Sequence, residues 1–556
     1  MDGSKETRFD ARKALADALK SLQGGRPDLA EAILGGLLEQ IPDNVEALFA
    51  MGMSAAARGD SASAIDHMRQ ALRVDPRFPP ALEWLPVLYI ERGKSLRQQF
   101  LFAEALIAFE QAASLSTGID AQLELAEMQT LVGRFSESVD TFSRALAVDP
   151  NSFAASLLMA RALTNLNRLG EADRCWQRAE TIETLPGQTR LAKALALSLI
   201  GEFGAAREEA RKALDLNPKR GKAYYLLCAG TKIQEGDRPL VDRMEDLTRD
   251  SDLGDSDRVD LHYALGKAYD DLGEYGSAIQ NFDQANALLR RLTFGDRAFD
   301  REAFRRNIDF QIETFTRSRL SPDGDQGREL PLFVVGMIRS GTTLVDQILT
   351  CHPEVGSAGE QAFWLQYERM AMEQIRTPAI EKLKMGYTSL LSCLAPGFPR
   401  VIDKNPANVL VAGLLHTVFP SSRIICTRRN AADTALSIWM TQMQTHAPFI
   451  GDRSDIVFAY KQYLRLTRHW QIAMPESRYL EVRYEDLIAN PRDQTRAMLD
   501  FCGLEWNEAC LHPERNTRVI RTPSFWQVRQ PVYRTSMDRW KKYQPWLGPF
   551  ADLVAL

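Results

Sequence analysis

The stretch LFVVGMIRSGTT, residues 332–343, decides the fold of the second half of this 556-residue chain. Its first four residues form a short apolar run typical of a buried strand, and an apolar helical pattern at Leu344, Ile348 and Leu349 follows. A loop between a strand and a helix N-terminus directs backbone N–H groups at one point, where the helix dipole stabilises an anion. The stretch therefore predicts a phosphate- or sulfate-binding loop in an α/β domain.

The loop lacks the lysine of an ATP-binding Walker A loop, because Thr342 follows Gly341 where GxxxxGK[ST] requires lysine. The run ending at Asp403 can imitate the acidic end of a Walker B strand, so a divergent P-loop kinase remains an alternative. A second alternative is a helical scaffold with a non-catalytic nucleotide-binding domain. Loss of catalytic side chains would favour that last interpretation.

Four apolar runs, at residues 331–335, 400–402, 423–427 and 479–483, each precede a helical pattern. Alternating strands and helices predict a parallel sheet with crossover helices on its faces. In such sheets ligands bind at the carboxyl ends of the strands. We expect the loop at 336–343, Lys404 and Arg429 to meet at that edge and to bind one anion.

The first half of the chain is repetitive. Pro42 and Pro76 are 34 residues apart, Pro150 and Pro218 are 68 apart, and glycines and alanines recur in the same phase. This period resembles tetratricopeptide repeats, which are pairs of antiparallel helices whose small residues allow close packing. We predict about eight units over residues 11–292, the third lengthened near residues 94–100 and the seventh, 221–258, without most of its anchors.

These patterns predict an all-α repeat solenoid followed by an α/β domain with a P-loop-type parallel sheet and flanking helices. The predicted boundaries are 1–292 for the repeats, 293–327 for a connecting segment and 328–556 for the α/β domain. The connecting segment contains a capping helix at about 298–319 and a linker at 321–327. The repeats either recruit a large acceptor or partner protein through a concave groove, or cover an apolar face of the α/β domain.

Composition excludes several classes of protein. The net charge of −5 divides into +5 over residues 328–556 and −10 over the remainder. The positive part has no dense basic stripe, so its charge favours a small anionic ligand over nucleic acid. No apolar run reaches about 18 residues, and the seven cysteines show no CxxC pair. Because residues 1–15 also lack a signal-peptide pattern, we expect a cytoplasmic protein without a membrane span.

Five blocks of sequence resemble the sulfotransferases that use 3′-phosphoadenosine 5′-phosphosulfate (PAPS), in particular the tyrosylprotein and bacterial repeat-containing ones. They are, in order, residues 336–343, 352–360, 403–406, 423–430 with Ser437, and 484–487 with 490–491. The resemblance extends over residues 331 to about 543. It implies PAPS as cosubstrate and no metal.

The resemblance also implies roles for individual residues. Arg339 and Lys404 would stabilise negative charge on the bridging oxygen of the donor. The 5′-phosphate would be held by Ser340, Gly341, Thr342 and Thr343, and the 3′-phosphate by Arg429 and Ser437. Tyr484 would border the nucleotide, Ser524 would bond the sulfonate or bridging oxygen, and Arg539 would contact the nucleotide phosphates.

The resemblance implies Glu360 as the general base, 21 residues after Arg339. The rival is His352, since imidazole is the better base near neutral pH, although we expect His352 and His416 to be structural. Ala362 and Gln366 replace arginines that read acidic peptides in the tyrosylprotein enzymes. The sequence therefore leaves the acceptor open among protein, glycan, lipid and small molecule.

Overall fold

In the computed structural model, the described residues are 10–116, 118–320, 331–368, 370, 377–443, 447–516, 529 and 537–556. The chain divides into two compact units, residues 1–162 and 163–556. Among the helices described, none combines the length and apolar character that crossing a membrane requires.

The first unit consists of helices that pack on their neighbours in sequence. They are α1 (Ala11–Gln23), α2 (Pro27–Gln40), α3 (Val45–Ala57), α4 (Ser61–Val74), α5 (Pro79–Gln98), α6 (Phe102–Leu115), α7 (Ile119–Leu131), α8 (Phe135–Val148) and α9 (Phe153–Asn165), which ends just inside the second unit. The extra residues predicted near 94–100 lengthen α5 to 20 residues. Gly93 lets α6 approach, since a Cβ there would lie 2.6 Å from Cε1 of Phe109.

The second unit begins with further helices of the repeat region. They are α10 (Leu169–Ile182), α11 (Gln188–Ile200), α12 (Phe203–Leu216), α13 (Gly221–Ala229), α14 (Arg238–Thr248), α15 (Asp255–Leu272) and α16 (Tyr275–Phe294), followed by α17 (Arg301–Thr314) and α18 (Arg317–Leu320). The seventh pair is short, with 9 residues in α13 and 11 in α14. The single helix predicted over 298–319 is divided into α17 and α18.

The α/β part of this unit is built on five parallel strands in the order β2-β3-β1-β4-β5. The strands are β1 (Pro331–Gly336), β2 (Val355–Gly359), β3 (Arg400–Asp403), β4 (Arg423–Arg428) and β5 (Tyr479–Arg483). The helices are α19 (Thr342–Leu349), α20 (Thr377–Leu394), α21 (Ala412–Val418), α22 (Ala431–Trp439), α23 (Arg453–Ala473), α24 (Tyr484–Ala489) and α25 (Pro491–Cys502). Helical repeats followed by a parallel α/β domain confirm the predicted fold class.

The sheet is buried on both faces, which explains why β1 is a continuous apolar run. One apolar cluster joins β1 to α19 and α25 through Val334, Ile348 and Leu499. Parallel register aligns the carboxyl ends of the strands, since Phe333 pairs with Asp403 and Gly336 with Thr427. The loops after these strands therefore open on one edge.

The last repeat helices pack directly on the α/β part. Asn286 of α16 donates from Nδ2 to the carbonyl of Trp439 at 2.8 Å, and the Trp439 indole N–H donates to Asp283 at 2.8 Å. Asp270 of α15 accepts from the hydroxyl of Tyr543 at 2.6 Å. The repeat helices α10 to α16 and the sheet are thus parts of one compact body over residues 163–556.

Candidate active site

The loop after β1 depends on two glycines. Gly341 caps α19 with a φ of 105°, and a Cβ there would lie 2.7 Å from Cδ2 of Tyr484. A Cβ on Gly336, at a φ of 153°, would lie 2.6 Å from Oγ1 of Thr427. Only glycine accommodates both the backbone angles and the close approach. The loop thus leads the chain directly into the N-terminus of α19, where anions are stabilised.

Three residues predicted to bind phosphate groups form one cluster. Nε of Arg339 donates to the hydroxyl of Ser437 at 3.2 Å, and a guanidinium nitrogen of Arg429 donates to the carbonyl of Arg339 at 3.4 Å. The guanidinium of Arg429 lies over the ring of Tyr484, 5.0 Å from its centroid. Because Arg339 has a φ of 68°, unusual for a residue with a side chain, the loop holds it in a strained conformation of the kind found at ligand sites.

Ser340 has a structural part in the loop. Its hydroxyl donates to the carbonyl of Met337 at 2.6 Å and lies 2.6 Å from the hydroxyl of Thr427. Its predicted contact with the 5′-phosphate stays a prediction. Thr342 and Thr343 form the first turn of α19, where backbone N–H groups have no partner within the helix.

Lys404 and Glu360 form an ion pair at the same edge of the sheet. Glu360 follows β2 and Lys404 follows β3, and the backbone N–H of Lys404 donates to the carbonyl of Gly359 at 2.9 Å. The lysine side chain is 3% exposed, whereas the glutamate side chain is 47% exposed. The pair therefore places a buried cation behind an accessible carboxylate.

Asp403 is completely buried beneath this pair. One carboxyl oxygen accepts from the hydroxyl of Tyr387 at 2.6 Å and from Nδ2 of Asn408 at 3.0 Å. The other accepts from the backbone N–H of Gln361 at 3.3 Å. The residue considered as a Walker B acid is thus bonded inside the protein, where it fixes the backbone beside Glu360 and Lys404. The sequence reasoning had not assigned it this role.

Asp403 should make the stability of the protein depend on pH. Burial raises its pKa to about 7, so between about pH 4 and pH 7 the native state binds the proton more tightly than the unfolded state does. The free energy of unfolding should then fall as pH rises through this window, by at most about 1.4 kcal/mol per pH unit. Asp403→Asn, which does not ionise, should lack this component in denaturant titrations from pH 5 to 8. A stability difference between variant and parent that is constant with pH would contradict the assignment.

The two histidines are structural, as expected. Nδ1 of His352 accepts from the N–H of Glu354 at 3.2 Å, so its Nε2 carries the proton toward the carbonyl of Glu505 at 3.1 Å. Nε2 of His416 lies 2.9 Å from the carbonyl of Leu320. Both ring nitrogens of His352 are therefore engaged by backbone groups.

Two further predicted ligands, Arg539 and Ser524, are not seen in the cluster described above. Arg539 forms an ion pair with Asp270 of α15, so its guanidinium is held by the repeat region. The neighbouring residue, Trp540, does contact α22, since its backbone N–H donates to Asp433 at 2.9 Å. Contact between Arg539 and a nucleotide stays a prediction. Ser524 lies outside the described residues.

Comparison with known families agrees with this organisation. Residues 331–508 match the model described as "Sulfotransferase family", and residues 10–81 and 259–288 match tetratricopeptide repeats. A repeat protein from Parabacteroides merdae is 18% identical, covers 44% of this chain and 93% of its own, and superposes with a TM-score of 0.30.

Two curated relatives are similar to parts of this chain. An uncharacterized protein of Aquifex aeolicus is 26% identical over 64% of this chain and 49% of its own length. The protein-tyrosine sulfotransferase of Drosophila melanogaster is 27% identical over 38% of this chain and 47% of its own. The chain thus spans about half the length of these relatives. It carries a sulfotransferase-family domain at residues 331–508 together with tetratricopeptide repeats.

Proposed function

We propose that this protein transfers a sulfuryl group from PAPS to a hydroxyl group of a protein or another large acceptor. The observation that carries the proposal is the meeting of three features at one edge of the sheet. These are the glycine-dependent loop before α19, the cluster of Arg339, Ser437 and Arg429, and the ion pair of Lys404 with Glu360.

The donor fits this edge by charge and shape. The absence of a Cβ at Gly341 lets the loop pack closely against the ring of Tyr484, next to the N-terminus of α19. Thr342 and Thr343 would hold the 5′-phosphate there through backbone N–H groups and hydroxyls. Arg429 and Ser437 would hold the 3′-phosphate, and fixed cations would take the place of a metal ion.

Transfer forms a bond between the acceptor oxygen and sulfur and breaks the bond from sulfur to the bridging oxygen of the donor. Glu360 would accept the proton of the acceptor hydroxyl as that bond forms, since its carboxylate is the accessible member of the pair. The leaving group is 3′-phosphoadenosine 5′-phosphate (PAP), whose bridging oxygen gains negative charge. Lys404 and Arg339 would stabilise that charge more strongly in the transition state than in the ground state.

The class of acceptor is inferred from the named relatives and from the repeats. The named relatives include protein-tyrosine sulfotransferases, and tetratricopeptide repeats commonly bind proteins, so a protein acceptor is the first to test. Ala362 and Gln366 stand where those enzymes carry arginines, and Gln366 donates to the carbonyl of Phe363 at 2.9 Å. Acidic peptides are therefore not the favoured class. We propose that transfer takes place in the cytoplasm.

Calorimetry with PAPS and PAP tests the donor site. Both should bind equally well with magnesium and with a chelator, and both should bind more tightly than ATP. Arg429→Ala should weaken PAP binding by about 2–5 kcal/mol, the usual effect of removing one partner of a buried charge pair. Arg428→Ala is the matched control, because Arg428 lies 3.5 Å from Glu481 outside the cluster and should change affinity little. Loss of binding on chelation, or preference for ATP, would refute the proposal.

A further inference from the structure

Side chains of the seventh and eighth helix pairs form a polar group beside α22. Nζ of Lys222, on α13, donates to Oε1 of Gln442 at 2.9 Å and lies 3.5 Å from Asp260 of α15. Nε2 of Gln442 donates to the same carboxylate at 2.8 Å. Asp260 is only 6% exposed, so this buried carboxylate depends on both donors. Gln442 is thereby fixed from the repeat side.

A continuous series of contacts leads from Gln442 to the phosphate loop. The preceding residue, Thr441, donates from its hydroxyl to the carbonyl of Ser437 at 2.7 Å. The hydroxyl of Ser437 in turn accepts from Arg339 at 3.2 Å. The end of α22 that carries Ser437 is therefore bonded to the repeat region on one side and to the loop arginine on the other.

Tyr225 of α13 is in contact with Lys222. Nζ of Lys222 lies over the tyrosine ring, 4.4 Å from its centroid. The lysine therefore orients two side chains, the ring of Tyr225 and the amide of Gln442. Burial raises the pKa of Tyr225 to about 12, and Arg339 is close enough for its positive charge to oppose that rise.

We propose that the seventh and eighth helix pairs form one wall of the donor site, in which Lys222, through Gln442, positions Ser437 for a 3′-phosphorylated nucleotide. The proposal rests on the proposed function, because it assigns new positioning residues to the same site. It makes the repeat region part of the nucleotide site. Lys222 acts through other side chains and is a positioning residue.

The test measures PAP affinity by calorimetry in the full-length chain, well below the melting temperature. Lys222→Met keeps the length of the side chain but removes its charge and hydrogen bonds, and should weaken PAP binding about tenfold. Lys222→Arg should recover most of the affinity. Lys219→Ala is the control, since Lys219 lies two residues before α13 and is also ion-paired, 2.6 Å from Asp250, and should leave PAP affinity unchanged.

Gln442→Ala is a second variant, which leaves the Lys222 and Asp260 pair in place. It should also weaken PAP binding, and the effect of combining it with Lys222→Met should be smaller than the sum, because both changes interrupt one series of contacts. Unchanged PAP affinity in both variants, with or without a lower melting temperature, would overturn the inference. If the unaltered chain does not bind PAP, the proposed function itself fails.

Discussion

Replacing Glu360 by glutamine is expected to lower turnover by about 10²–10⁴, the usual contribution of general-base catalysis, while PAP still binds. Glutamine keeps an oxygen that can accept a hydrogen bond from Lys404, so the buried ammonium retains a partner. It does not accept the proton of the acceptor. The loss should therefore appear in turnover, measured as transfer from radiolabelled PAPS into host-cell lysate, and not in the calorimetric affinity for PAP.

Glu354→Gln is the matched control for this experiment. Glu354 is an exposed glutamate at the beginning of β2, whereas Glu360 follows the end of the same strand. The same chemical change there should leave turnover within about twofold, as expected for a surface substitution. If Glu360→Gln retains full activity, Glu360 is not the base. Loss of activity in a folded His352→Ala variant instead would transfer that role to the imidazole.

The sequence predicts the edge of the sheet at which the site lies because the strands that carry it are buried. Apolar runs at 400–402 and 423–427 indicate β3 and β4, and parallel register then brings Lys404 and Arg429 to the same edge. β2 was not predicted, since Val355–Gly359 contains small residues in place of an apolar run. Its pairing with β3 is what places Glu360 next to Lys404.

Tertiary contacts between distant segments could not be read from the chain. Lys222 and Gln442 are separated by 220 residues and meet only because the fold brings α13 beside the segment that follows α22. Asp403 ends an apolar run whether it binds a metal or is buried, and only the positions of Tyr387 and Asn408 distinguish the two. Residues whose role depends on long-range packing leave no local pattern.

A chain that begins near residue 325 is expected to be insoluble or to lack a cooperative unfolding transition. It would lose α15, α16 and α17, which supply the partners of several α/β groups. Asp283 and Asn286 bond the Trp439 side chain and carbonyl, and Asp455 would lose the bond to Nε of Arg301, 2.6 Å away. A buried polar group left without its partner costs about 1–3 kcal/mol, more for a charged one, against a total stability of about 5–15 kcal/mol.

Apolar surface would be exposed as well. The ring of Phe299 lies 6.1 Å from Phe449 and 6.3 Å from Phe458, and Tyr275 packs edge-on against Tyr543 at 5.1 Å. Each aromatic side chain that is fully exposed loses about 1.5–3 kcal/mol of burial energy. These losses together with the orphaned polar groups are comparable to the whole stability of a domain. We therefore expect that a chain beginning near residue 325 does not fold alone.

A chain that begins at residue 166 provides the decisive comparison, because it keeps nearly all of the compact unit of residues 163–556. It should remain soluble, unfold cooperatively and bind PAP with an affinity close to that of the full chain. Its KM for the natural acceptor should rise if the first unit contributes remote binding energy. A 325–556 chain that is soluble and binds PAP as tightly as the 166–556 chain would show that the last repeat helices are dispensable for the donor site. If the 166–556 chain is active and the 325–556 chain is not, α13, α15 and α16 must be counted among the elements that build the enzyme.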